Sequence, residues 1–217
     1  MALTLWLSLA TICLFGAMSP GPSLAVVVRN TLVGGRSQGV ATAISHGVGV
    51  AMWALLTATG IGLLVTKQPE LYRFLQWLGA GFLAYLGVRY LLAKSNVSAS
   101  LAIETREQGN GLTGVREGFL IAVMNPTLPL FFLALFSQFV RETAPWQETV
   151  IITATAGGID IIWYILVALV LSHTAVLDRL RRRAHIFDRV FGVILLALAI
   201  YMPVSYTHLT LPTILLV

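Results

Sequence analysis

The chain has 217 residues, of which 57% are hydrophobic and 11% are charged, and its formal net charge is +5. Its mean hydropathy is +0.85. A chain this apolar has too little polar surface to cover a globule in water, so the composition excludes an ordinary soluble domain and predicts an integral membrane protein.

Six apolar segments are long enough to cross a bilayer, whose core of about 30 Å requires roughly 20 apolar residues per helical span. In chain order we predict transmembrane helices over residues 3–28, 40–65, 71–93, 117–140, 148–172 and 186–204. The predicted fold class is therefore an all-α polytopic membrane protein with six transmembrane helices, in which residues 1–203 form a single transmembrane domain.

The basic residues lie mainly on alternate connections between these spans. The first, third and fifth connections carry eleven Lys and Arg residues, whereas the opposite side carries three, Lys67, Arg73 and Arg141. Cytoplasmic loops are rich in Lys and Arg, so these connections are predicted to be cytoplasmic and both termini to face outward. The basic run at 179–185 is interpreted as a loop anchored at the headgroups, not as a nucleic-acid site. No basic residue precedes Arg29, which argues against a cleaved signal peptide.

Prolines interrupt the first and fourth predicted spans. The first span contains SPGP from Ser19 to Pro22, and the fourth contains Asn125 followed by Pro126. Proline lacks the backbone N–H and clashes with the preceding turn, so each site is predicted to break a helix. Counted at 1.5 Å per residue from the cytoplasmic ends of their spans, both breaks lie roughly 12 to 14 Å deep, near the middle of the core.

Irregular backbone at this depth must be buried in protein or line a watery cavity. Helix N-termini attract anionic groups such as a carboxylate, and freed carbonyl groups hold an ammonium, so a zwitterionic amino acid fits both. The alternative is that the prolines only kink packed helices. The residues predicted to line a substrate path are Ser19, Pro20, Gly21, Pro22, His46, Asn125 and Pro126.

A polar connection divides the chain into two halves of three spans each. Residues 94–116 are rich in Ser, Asn, Gly and charge, which is typical of a loop, and the predicted halves are about 1–93 and 117–203. Because three is odd, the second half enters the membrane from the opposite face, as in an inverted-topology repeat.

Weak internal similarity favours this 3+3 arrangement. Residues 17–28 and 123–135 each carry a methionine, a small polar residue and then a proline. Residues 42–53 and 153–164 match at a threonine, an alanine and a glycine. We therefore predict a repeat in which helices 1 and 4 are the proline-broken helices.

Two polar side chains within predicted spans are candidates for ion coupling. Asp160 lies near the middle of span 5, where a carboxylate is costly unless it is paired, hydrated or protonated, and it is the candidate for proton coupling. His46 lies in span 2, and histidine titrates near physiological pH. The alternatives are a structural carboxylate and a histidine that only donates a packing hydrogen bond.

The sequence contains no signature of an enzyme, a cofactor or a metal centre. Cys13 is the only cysteine, so no internal disulfide is possible. His173 and His185 have no clustered Cys or carboxylate beside them, no phosphate-binding Gly-rich loop is present, and no nucleophile and base share a common depth. We expect a protein that is not an enzyme and uses no cofactor.

Along residues 1 to 203 the chain resembles the LysE/RhtB family of bacterial amino-acid exporters. The resemblance is carried by Pro20, Gly21, Pro22, Gly35, Gly39, Gly49, Asn125 and Pro126, and by the run at 130–140. It implies a secondary transporter that expels neutral, homoserine-type or threonine-type amino acids or their derivatives across the inner membrane, driven by an ion gradient such as proton antiport. Family members often carry a lysine directly after the Asn-Pro, where this chain has Thr127.

Two function classes stay open at this level. The leading one is an exporter that is embedded in the bilayer and has an amino acid as its substrate. It has no nucleic-acid partner, and it can form a homo-oligomer. The other is a passive channel or a non-transporting assembly protein, which saturable, gradient-dependent flux would exclude. Residues 204–213 look like translated sequencing adapter, so residues 204–217 are expected to be a non-native tail.

Overall fold

The computed structural model describes residues 2–19, 21–92, 111–139, 145–170 and 185–200. Within these ranges the secondary structure consists of seven α-helices and no strand, as expected for an all-α membrane protein. The helices are α1 (Leu3–Met18), α2 (Pro22–Lys67), α3 (Pro69–Leu92), α4 (Gly111–Met124), α5 (Thr127–Phe139), α6 (Trp146–Val170) and α7 (residues 185–200).

Helix α2 folds back on itself at Gly35. This glycine has φ 79° and ψ 178°, a combination that is essentially restricted to glycine. Across this turn, Asn30 Nδ2 donates a hydrogen bond to Thr42 Oγ1 at 3.0 Å. Residues twelve apart on a straight helix would be separated by about 18 Å along the axis, so this bond requires the chain to reverse direction.

The reversal determines how α2 is counted as membrane structure. By length and composition, two helices are long and apolar enough to cross a membrane, Pro22–Leu63 and Trp146–Val170. A third span is counted if the helices Leu112–Met124 and Thr127–Phe139, which meet at a bend of 57°, are taken together as one span. Leu3–Met18 is a shorter apolar helix. Because α2 folds back, its apolar stretch contributes to more than one predicted crossing. The count of six spans stays a prediction.

Glycines bring the helices into close contact at two places. A Cβ added to Gly157 of α6 would lie 2.7 Å from Ala51 Cβ and 3.1 Å from the Gly47 carbonyl oxygen of α2. A Cβ on Gly87 of α3 would lie 2.9 Å from the Gly192 carbonyl oxygen of α7. Small residues allow membrane helices to approach this closely. These contacts pack α2 against α6 and α3 against α7.

The outer surface of the helix assembly is apolar. Phe74, Trp77 and Ile162 are 63%, 61% and 62% exposed, and they are three of many large apolar side chains on the outside. Such a surface is unstable in water and suits lipid contact. Because the outside is apolar, a functional site is expected at the polar residues that are buried inside.

The helix bounds depart from the predicted ones at α2, which runs through the predicted connection at 29–39 and turns at Gly35, and at α4. This helix begins at Gly111, inside the connection predicted over 94–116. Gly114 explains the early start, since a Cβ there would lie only 2.8 Å from the Gln38 carbonyl oxygen of α2. This close packing against α2 stabilises the helix although its first residues have a composition typical of a loop. Residues 93–110, which include most of the predicted loop, and the predicted tail at 204–217 lie outside the described residues.

Candidate functional site

The first helix break exposes the start of α2. Helix α1 ends at Met18, and the Ser19 N–H donates to the carbonyl oxygens of Phe15 at 3.0 Å and Gly16 at 3.3 Å. Helix α2 then begins at Pro22, a residue suited to the first helical position because it lacks the N–H that would have no partner there. The Ala25 N–H donates to the Gly21 carbonyl oxygen at 3.1 Å, so the N–H groups of Ser23 and Leu24 are the ones in this first turn without an intrahelical acceptor. They form a positive helix end at the break.

The second break is organised by Asn125. Its side-chain Oδ1 accepts a hydrogen bond from the Thr127 N–H at 3.0 Å, and its carbonyl oxygen accepts one from the Leu128 N–H at 3.2 Å. With Pro126 in between, this Asn-Pro turn starts helix α5. As at the first break, the preceding helix ends at a methionine, Met124.

Both breaks line one cavity of about 390 Å³. This volume lies within the roughly 300 to 1,000 Å³ of small-molecule sites. The predicted residues that line it are Ser19, Gly21, Pro22, His46, Asn125 and Asp160. Pro126 shapes the second break but does not line the cavity, and Pro20 lies outside the described residues. Residues that were singled out separately in the sequence therefore meet in space.

A buried carboxylate and imidazole pair forms part of the cavity wall. His46 Nδ1 lies 2.7 Å from Asp160 Oδ2, and the two side chains are only 2% and 9% exposed. The His46 ring packs edge-on against Tyr164 with centroids 5.1 Å apart. Its second nitrogen, Nε2, is buried and has no hydrogen-bond partner within the described part of the chain. Asp160 is thus paired, and His46 keeps one free nitrogen.

A second carboxylate in the cavity was not recognised from the sequence as a site residue. Asp188 of α7 is 4% exposed, and Ser19 Oγ donates a hydrogen bond to its Oδ1 at 3.0 Å. The sequence distance between them is 169 residues, and hydropathy carries no information on such contacts. The only available signal was an acidic residue at the start of an apolar run.

The remaining lining is mostly apolar, and its polar members are Ser23, Arg89, Tyr90, Thr127 and Tyr164. The apolar side chains come from five helices and are Cys13, Val50, Leu86, Leu128, Phe131, Phe132 and Phe191. Arg89 of α3 is the one Lys or Arg among the lining residues that the structure describes. Thr127, which directly follows Asn125 and Pro126, also lines the cavity and brings no charge.

These features define a class of protein. Two apolar helices start at breaks beside one cavity of ligand size, and buried ionisable groups line that cavity. This arrangement is typical of secondary transporters. The chain belongs to the LysE type translocator family, whose profile matches residues 14–205. Members of this family are transporters and not enzymes.

Individual relatives agree with this assignment. The chain is 22% identical over 191 residues to the Uncharacterized membrane protein YrhP of Bacillus subtilis (strain 168), covering 83% of this chain and 90% of that protein. It is 29% identical over 132 residues to the Leucine efflux protein of Salmonella typhimurium (strain LT2), covering 61% of each chain. It is 30% identical over 146 residues to a membrane protein of Haemophilus influenzae, covering 65% of this chain and 69% of that one. No solved structure matches the chain.

Proposed function

We propose that the protein is a proton-coupled exporter of neutral amino acids or closely related derivatives. The observation that carries the proposal is the common cavity at the two helix breaks, with the His46 and Asp160 pair in its wall. Membership of the translocator family and similarity to a protein named for leucine efflux support it. Leucine is accordingly the first substrate to test.

The cavity offers groups for each part of an amino acid. The N–H groups at the start of α2 and the guanidinium of Arg89 suit a carboxylate. The apolar wall, which includes Phe131 and Phe132, suits an aliphatic side chain. A zwitterion with an apolar side chain therefore matches the cavity better than a simple ion or a sugar does.

Asp160 is proposed to carry the coupling together with His46. Without an added proton the pair has one negative charge, and with one proton it becomes an imidazolium and carboxylate pair without net charge. A proton arriving from outside weakens the negative potential that holds the substrate ammonium, so the amino acid leaves outward. Loss of the proton to the cytoplasm restores the binding site for the next amino acid.

Alternating access around the cavity is proposed to use a 3+3 inverted repeat with six spans in the inner membrane, and with the N-terminus outside. Two observations support this. Both breaks follow a methionine and start a new helix, and the contacts between α2 and α6 and between α3 and α7 join corresponding helices of the two halves. Two similar bundles that share one central site rock against each other in such transporters.

The test uses cells loaded with a leucine-containing dipeptide, with and without the protein, and measures free leucine outside over time. We expect protein-dependent, saturable release that collapses with a protonophore. Asp160→Asn is expected to abolish release, whereas Glu70→Gln, which alters an exposed carboxylate in an ion pair with Arg73, is the control and leaves it unchanged. Release that does not saturate and ignores the protonophore would indicate a passive channel instead.

A further inference from the structure

The Asp188 carboxylate is buried without the compensation that Asp160 has. Asp160 is paired with an imidazole, whereas Asp188 forms, among the described residues, a hydrogen bond with the neutral Ser19 hydroxyl and no ion pair. Burying a carboxylate is costly unless a cation or several donors satisfy it. A positively charged group bound beside Asp188 would therefore offset the cost of burying its carboxylate.

Asp188 belongs to a polar part of the cavity wall. Asp188, Ser19, Tyr90 and Arg89 all line the cavity. Asp188 and Arg89 both lie close enough to the Tyr90 hydroxyl to interact with it electrostatically, so both charges belong to one polar region of the wall. His185 lies one turn before Asp188, and its side chain is exposed.

We propose that Asp188 binds the ammonium group of the exported amino acid, with the Ser19 hydroxyl as a second acceptor. An ammonium has three donors, and a carboxylate oxygen beside a hydroxyl oxygen satisfies two of them. The proposal rests on the exporter function and narrows the substrate class to compounds with a free, protonated amine. Since Ser19 belongs to the first helix break, a bound ammonium contacts α7 and that break at once.

Ligand binding is measured as protection of the purified protein in nanodiscs against thermal unfolding, because a ligand that binds only the folded protein raises its Tm with increasing concentration. Leucine and leucinamide, which have the amine, are expected to raise the Tm. N-acetylleucine, which keeps the carboxylate and lacks the charged amine, is expected to give no protection.

Variants separate ammonium binding from a merely structural contact. Asp188→Asn is expected to raise the half-protecting leucine concentration at least about tenfold, as for the loss of a charged hydrogen bond. Ser19→Ala removes the bond to Asp188 but keeps the carboxylate, and we expect a change of no more than about threefold. Glu70→Gln is the control for removal of a carboxylate elsewhere.

Several outcomes would overturn the proposal. If Ser19→Ala weakens leucine protection as much as Asp188→Asn does, the carboxylate only anchors the break. If N-acetylleucine protects as well as leucine does, the amine is not recognised. Leucine release from cells that survives Asp188→Asn contradicts the inference and leaves the exporter function intact. Absence of both protection and release in the unaltered protein overturns the exporter function and the inference together.

Discussion

His46 Nδ1 and Asp160 Oδ2 lie 2.7 Å apart although 114 positions separate them in the chain. The pair joins α2 to α6 in the wall of the cavity, next to the glycine contact between the same two helices. The glycine contact and the His46–Asp160 contact therefore lie side by side in one helix interface. The consequences are testable for coupling and for stability.

Asp160→Asn is predicted to separate exchange from proton-driven transport. The amide keeps the size of the side chain and loses its charge. Binding a proton to the pair then no longer removes a negative charge from the cavity wall. In proteoliposomes we expect net proton-driven leucine flux to fall at least about tenfold, since a hydrogen bond to a charged group contributes about 1.5–3 kcal/mol. Exchange of internal for external leucine is expected to persist, measured with labelled leucine. Unchanged proton-driven flux would assign coupling to another group.

The close contact at Gly157 is predicted to be intolerant of even one added methyl group. Gly157→Ala places a Cβ 2.7 Å from Ala51 Cβ, and overpacking of this kind costs about 1–3 kcal/mol. The adjacent Gly158 has nothing within 4 Å of an added Cβ, so Gly158→Ala is the matched control and is expected to be neutral. Thermal unfolding in detergent compares them. Equal Tm values for both variants would refute the packing account.

The reversal of α2 is predicted to require glycine at position 35. Its φ of 79° with ψ of 178° costs other residues about 1–3 kcal/mol, so Gly35→Ala is expected to lower the Tm. Gly60→Ala, in the same helix and with open space around an added Cβ, is the control. An unchanged Tm for Gly35→Ala would mean that the turn adjusts without cost.

The Asn125 turn is predicted to contribute to both stability and transport. Asn125→Ala removes the acceptor of the Thr127 N–H, and loss of such a cap costs about 0.5–2 kcal/mol. Asn125→Ser keeps a side-chain oxygen that can accept this hydrogen bond, and it is expected to restore most of the Tm and of the leucine release. If alanine and serine behave alike, the side-chain acceptor is not what holds the break.

Hydropathy and proline chemistry were sufficient to predict much of this molecule. The helical class follows from composition, and the breaks beside Ser19 and Asn125 follow from the rigidity of proline. Asp160 was identified because a carboxylate in an apolar span is costly, and His46 because histidine titrates near physiological pH. That the two pair with each other was not predictable, because one sequence gives the depth of a residue and not the direction in which its helix faces.

Other features were missed for the same physical reason. Asp188 meets Ser19 only because α7 packs beside the first break, a tertiary contact that no local pattern encodes. The early start of α4 depends on contact with α2 at Gly114, which overrides a loop-like composition. The positions of most helices could be predicted from the sequence, whereas the contacts between particular residues of different helices could not.

The most direct test of the account is leucine transport into proteoliposomes with an acidic interior, in which an antiporter drives leucine inward as protons leave. We predict that leucine accumulates above its external concentration, that a protonophore abolishes the accumulation, and that Asp160→Asn lacks it. Leucine that only equilibrates across the membrane, whatever the pH gradient, would contradict a coupled exporter.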